Sequence, residues 1–101
     1  MAKEIHMKDL GEKALCIFYT PDKRILLQDR RDRSKVGEEW GFFGGSIEEG
    51  ETPEQAMLRE MQEELAFTPT EYTYIGLYPH TIPDYGFFTG HLFLHQCQML
   101  V

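Results

Sequence analysis

The sequence predicts an α+β domain in which one helix lies against a mixed β-sheet, and three observations carry that prediction. β-prone runs stand on both sides of a single well-capped helical segment. That segment carries an apolar stripe at helical periodicity, which needs a sheet or another helix to cover it. A chain of 101 residues, 42% hydrophobic and 27% charged, sits in the ordinary globular range and has room for one domain, residues 1–101.

Ala14 to Thr20 is apolar and β-prone, Pro21-Asp22-Lys23 follows as a turn, and Arg24 to Gln28 returns as a second strand. Charge dominates from Asp29 to Glu39, the pattern of an exposed loop, before a short strand at Trp40 to Phe43 that Gly44 and Gly45 are expected to break. The helix is predicted over Pro53 to Leu65. Thr52 is its N-cap, Pro53 takes the first helical position, and Gln55 stands where it completes a capping box. Met57, Leu58, Met61 and Leu65 fall within an arc of about 100° and form the core-facing stripe. After Thr68-Pro69-Thr70, a strand is expected from Tyr72 to Tyr78, then a loop with Pro79, Pro83 and Gly86, and a long strand from Phe87 to Met99.

Ten basic residues against seventeen acidic give a formal charge of −7, which argues against nucleic-acid polymers and anionic membranes as partners. Small phosphorylated substrates stay in play, because a divalent cation reverses the field of an acidic site. Cys16 and Cys97 form no C-x-x-C pair and no zinc pattern, so a reducing cytoplasm is the simplest setting. The opening MAKEIHMKDLGEK is polar, and no apolar run is long enough to span a bilayer.

The chemistry concentrates in one segment. Gly45 is followed after five residues by Glu51 and after seven more by Arg59-Glu60-Met61-Gln62-Glu63-Glu64. At about 100° per residue, Glu60, Glu63 and Glu64 at i, i+3 and i+4 crowd three carboxylates onto one helical face beside the apolar stripe. Their repulsion costs a few tenths of a kcal/mol per pair, and a hard divalent cation removes it; Mg2+ suits such oxygen ligands best, with Mn2+ as the alternative. On an ordinary acidic helix these glutamates would simply face solvent. Gly44, Gly45, Glu51 and Arg59 stand around them at the spacing of a known family's metal-binding box, and that resemblance favours the metal site instead.

This segment, Gly45 to Phe67, resembles the box of the Nudix hydrolases, and the resemblance extends from about Ala14 onward. Two positions depart from the family pattern: Ala66 stands where a glycine follows the paired glutamates, and Phe43 where proline is common before the two glycines. The resemblance implies a Nudix-like mixed sheet with the box helix packed on it. It assigns Glu60, Glu63 and Glu64 as catalytic metal ligands, the Gly44 carbonyl as a further ligand, and Glu51, Arg59 and Gly45 as supports of the site. It implies hydrolysis of the diphosphate linkage of a nucleoside diphosphate joined to another moiety, by water activated with the metal's help. Family members commonly continue past the equivalent of Val101 with a strand and helix that often bring another acidic residue, so either another subunit is expected to complete the domain or the chain is a shortened form with impaired activity. A non-hydrolytic nucleotide- or phosphate-binding regulatory domain of the same fold is the alternative.

Arg30, Arg31 and Arg33 have the forked chemistry that holds phosphate, although a charged loop is more often only solvated. Phe42, Tyr72, Tyr74, Tyr78, Tyr85, Phe87 and Phe88 offer faces for stacking on a base, although strand aromatics mostly serve packing. Of these, Arg30, Arg31, Phe42 and Tyr85 are the expected substrate contacts. His91 and His95 share a strand face but lie about 13 Å apart, too far for one ion, and His80 reads as a bystander in a loop. Phe88, Leu92 and Leu94 align on one face of the last strand, and a homodimer built on that stretch is expected.

Overall fold

The computed structural model describes residues 2–32 and 40–97. Seven strands and one helix follow in the order β1 (Lys8–Tyr19), β2 (Ile25–Leu26), β3 (Gln28–Asp29), β4 (Trp40–Gly41), β5 (Phe43–Ser46), α1 (Pro53–Leu65), β6 (Thr73–Ile82) and β7 (Gly86–Gln96). The main sheet has the order β2-β1-β7-β6, with β5 also pairing β1; β3 and β4 form a small separate ribbon. β1 and β7 run parallel while β2, β5 and β6 are antiparallel to their neighbours. The sheet is therefore mixed, and the fold is α+β as expected.

β1 is the spine. Its even residues Ala14, Cys16 and Phe18 are buried under α1, where they meet Phe43, Phe93, Ala56, Met57 and Met61. Met57 and Met61 are fully buried, and Leu58 and Leu65 pack at the edge of this cluster, so the predicted stripe is the face that meets the sheet. Burial of each methionine contributes about 1.5–3 kcal/mol. The odd residues of β1 project to the opposite face.

The helix has the predicted bounds. Thr52 Oγ1 accepts from Gln55 N–H at 3.1 Å, and Gln55 Oε1 accepts from Thr52 N–H at 3.0 Å, the two halves of the capping box. At the other end Ala66 takes the left-handed conformation (φ 51°, ψ 36°) that the family's glycine would occupy, and its N–H donates to Gln62 O.

Four expectations about strands are corrected. β1 begins at Lys8, not Ala14, because its polar first half is held by backbone pairing with β7, Lys8 opposite Gly86, and needs no apolar pattern. The Arg24 to Gln28 strand divides into β2 and β3, which belong to different sheets. Gly44 and Gly45 lie inside β5 and do not break a strand: at φ 145°, Gly44 lets its backbone close on β1, where a Cβ would stand 2.1 Å from Ala14 O. β6 continues through Pro79 to Ile82, where a loop was expected. As the outer strand of the sheet it tolerates a missing N–H.

The turn between β6 and β7 has Pro83 at its second position and Asp84 at φ 61°, closed by Tyr85 N–H to Ile82 O at 3.1 Å. β7 lies between β1 and β6, so among the described residues it offers no bare edge for a dimer; the outer strands of the sheet are β2 and β6. Expected features at Arg33 to Glu39 and at Gln98 to Val101 lie outside the described residues. Among the described residues no helix is long and apolar enough to cross a membrane.

Candidate functional site

Capping at Thr52 fixes the phase of α1, and that phase turns Arg59, Glu60 and Glu64 toward β5. Arg59 is the hub. Its Nε donates to Glu51 Oε2 at 2.7 Å and its Nη2 to Glu51 Oε1 at 2.9 Å; Nη2 also reaches Ser46 O at 3.1 Å, and Nη1 reaches Glu60 Oε1 at 2.9 Å. Glu51 Oε1 accepts in addition from Glu48 N–H at 2.9 Å. The Arg59 guanidinium, with the Glu48 N–H behind it, holds the Glu51 carboxyl down to about 2. The bond to Glu51 likewise raises Arg59 above its ordinary range. Glu51 and Arg59 thus tie the loop before the helix to the helix itself.

Glu60 lies directly over Gly45. A Cβ on Gly45 would stand 2.5 Å from Glu60 Oε1, so the carboxylate occupies the space that only glycine leaves free. Glu64 Oε1 accepts from Gly44 N–H at 2.9 Å and Oε2 from the Gln28 amide at 2.8 Å. Burial pushes the Glu64 carboxyl up, the Gly44 and Gln28 bonds pull it back, and neighbouring Glu60 raises it further. Glu63 is more exposed, with both oxygens 3.4 Å from Arg59 Nη1. Gln28 was missed in the sequence, where it is merely the last residue of a β-prone run.

Among the described residues, no group of three or more His, Cys, Asp or Glu side chains converges into a metal-binding cluster. The donor set nevertheless fits a hard divalent cation. Glu60 and Glu64 are all-oxygen, mutually repelling neighbours, one of them desolvated, over a glycine cradle that a side chain would fill.

The opposite face of the glycine segment opens on a cavity of about 690 Å³, lined in part by Lys13, Leu15, Trp40, Tyr78, Phe88 and Leu92. Three of the four expected substrate contacts, Arg30, Phe42 and Tyr85, line it too. Arg31 does not. Its guanidinium folds back onto Asp29 at 2.7 Å and stacks 5.0 Å over Trp40, because the nearer carboxylate in the same turn captures it. Tyr72 and Tyr74 pack against Phe93 on the helix side, whereas His80 belongs to the cavity wall beside Phe88. His91 bonds Glu12 and Tyr74, and His95 bonds Glu71 O.

With this geometry in place, similarity to known proteins becomes specific. The NUDIX domain family model matches residues 9–99. The chain is 42% identical over 60 residues to an 8-oxo-dGTP diphosphatase of Proteus vulgaris, covering 59% of this chain and 54% of that protein. It is 34% identical over 92 residues to a CTP pyrophosphohydrolase of Escherichia coli, covering 79% and 66% respectively. The chain thus spans about half to two thirds of the length of these relatives. Its fold superposes on the MutT protein of Methanosarcina mazei with a TM-score of 0.73 at 16% identity, over 97% of this chain and 71% of that one. The matched span contains both the braced glutamate helix and the glycine segment beneath it, and the chain belongs to the Nudix family.

Proposed function

We propose that the protein is a divalent-metal-dependent pyrophosphohydrolase that cleaves the diphosphate linkage of a nucleoside diphosphate joined to another moiety, the nucleoside triphosphates included. The observation that carries this reading is the pairing of Glu60 and Glu64 over Gly44–Gly45, braced by the Arg59–Glu51 fork. The relatives named for 8-oxo-dGTP and CTP support the substrate class.

In this reading Glu60, Glu63, Glu64 and the Gly44 carbonyl hold Mg2+ or Mn2+, and Glu51, Arg59 and Gly45 support them. When bound, the metal supplies charge neutralisation at the diphosphate and a more acidic water, the main help phosphoryl transfer needs. The chain's own work is positional. The Gly44 N–H and the Gln28 amide orient Glu64, Arg59 restrains Glu60, and the cavity receives the nucleoside with Arg30, Phe42 and Tyr85 in its wall. The same proposal places the protein in the cytoplasm. It also makes the protein a homodimer, supported by the exposed Leu77 on the outer strand β6. Light scattering at micromolar concentration tests the dimer, and a monomer mass removes it.

The deciding experiment follows product release from nucleoside triphosphates, oxidised nucleotides, nucleoside diphosphate sugars, ADP-ribose and dinucleoside polyphosphates, with and without magnesium. Metal-dependent release from at least one of them is expected. Glu63→Gln and Glu64→Gln are each expected to abolish or greatly reduce it. Silence across the whole panel overturns the reading.

A further inference from the structure

Three of the described arginines are matched to carboxylates: Arg24 to Asp22 at 3.0 Å, Arg31 to Asp29 at 2.7 Å and Arg59 to Glu51 at 2.7 Å. Lys13 differs. It is half-buried at the cavity wall, with its Nζ 3.5 Å from Ser46 Oγ and 5.4 Å from the centroid of the Phe88 ring. Both partners are neutral, and among the described residues Lys13 makes no ion pair. In a chain of net charge −7, a cation that makes no ion pair among the described residues and is partly withdrawn from water is positioned to receive an anion from outside.

Strand register shows which anion it would meet. Lys13 pairs with Ser46 and Ala14 with Gly45, so Lys13 is one step along the ladder from the glycine that lies under Glu60. Alternation sends Ala14 to the helix side and Lys13 to the cavity side. Gly44 and Gly45 contribute only backbone between the cavity and the carboxylates. A nucleotide whose base lies among Trp40, Phe42, Tyr78 and Phe88, and whose phosphates cross this glycine segment toward Glu60 and Glu64, passes Lys13 before it reaches the carboxylates.

We infer that Lys13 binds the phosphate that stays with the nucleoside, so that the cavity selects a 5′-nucleotide over the same nucleoside without phosphate. This assignment rests on the pyrophosphohydrolase reading and deepens it. Its plain competitor is that the Lys13 stem merely packs on Phe88, a role that methionine would preserve.

Trp40, the single tryptophan, lines the cavity and reports occupancy by fluorescence. The experiment titrates GMP, CMP, guanosine and cytidine into the wild type, Lys13→Met and Lys13→Arg in magnesium buffer. It also measures kcat and KM for the best nucleoside triphosphate. Wild type is expected to bind at least one monophosphate roughly tenfold or more tightly than its nucleoside, the scale of one charge-assisted hydrogen bond. Lys13→Met should lose that preference while binding the nucleoside as before, and its KM should rise by more than its kcat falls; Lys13→Arg should keep most of the preference. If Lys13→Met retains the wild-type ratio, the assignment is overturned even where hydrolysis proceeds. If the wild type hydrolyses nothing, the hydrolase reading falls, and the monophosphate-to-nucleoside ratio still decides the role of Lys13.

Discussion

Arg59 grips Glu51 with two arms of its guanidinium, Nε to Oε2 at 2.7 Å and Nη2 to Oε1 at 2.9 Å, and so ties the helix to the loop that leads into it. A lysine keeps the charge but cannot span both oxygens while also reaching Ser46 O and Glu60. Arg59→Lys is therefore expected to lower the melting temperature by about 5 °C and to reduce turnover by about tenfold or more. Calorimetry and steady-state rates check both, and a variant equal to wild type in each would remove Arg59 from the site's framework.

The same fork gives a pH signature. The Glu51 carboxyl, ordinarily near 4.5, is held to about 2 in the folded protein by Arg59 and then by the Glu48 N–H. A depressed folded value means its stabilisation is complete above the ordinary value and disappears as pH falls from 4.5 toward about 2. Melting curves of wild type and Glu51→Gln, taken from about pH 6 downward, should converge across that window. A gap that stays constant would show that Glu51 is not tied to Arg59 in solution.

Adjacent glycines should fail differently. A Cβ at Gly44 would strike Ala14 O at 2.1 Å, a backbone atom that cannot yield, and the φ of 145° is itself unsuited to alanine. A Cβ at Gly45 would strike the Glu60 carboxylate, the free end of a flexible side chain. Gly44→Ala is expected to destabilise the fold itself, whereas Gly45→Ala should stay folded but lose activity as Glu60 is displaced. Circular dichroism melts beside rates distinguish the two, and equal stability of the pair would contradict the geometry.

Ala66 carries a left-handed backbone at the helix C-terminus, φ 51° and ψ 36°, at a cost of roughly 1–2 kcal/mol for a residue with a Cβ. Glycine removes that cost but gives back part of it through the freer unfolded chain. Ala66→Gly should therefore raise stability by roughly 0.5–1 kcal/mol, seen as a higher urea midpoint at unchanged slope. A midpoint that falls would mean the helix ends otherwise in solution.

Crowded carboxylates should make the fold responsive to metal. Occupancy at about 100 times the dissociation constant adds about 2.7 kcal/mol, so millimolar magnesium or manganese is expected to raise the melting temperature of the wild type and to raise that of Glu64→Gln less. Indifference of the wild type to both ions would count against a metal at Glu60 and Glu64.

The sequence by itself determined the helix and what it carries. Thr52, Pro53 and Gln55 set its start through bonds within a few residues, and the 3.6-residue period then placed Arg59, Glu60, Glu63 and Glu64 on one side with Met57 and Met61 beside them. Such local rules are complete within a dozen residues, which is why these positions were legible. Tertiary structure alone decided the start of β1 at Lys8, because backbone pairing with Gly86 leaves no mark on the polar side chains involved. It also placed Gly44 and Gly45 within a strand, through the closeness of Ala14 and Glu60. The cavity joins Lys13 and Leu15 of β1 to Trp40, Tyr78 and Phe88 of three other strands. Only long-range register brings these residues together, and it depends on partners that no local window of the sequence contains.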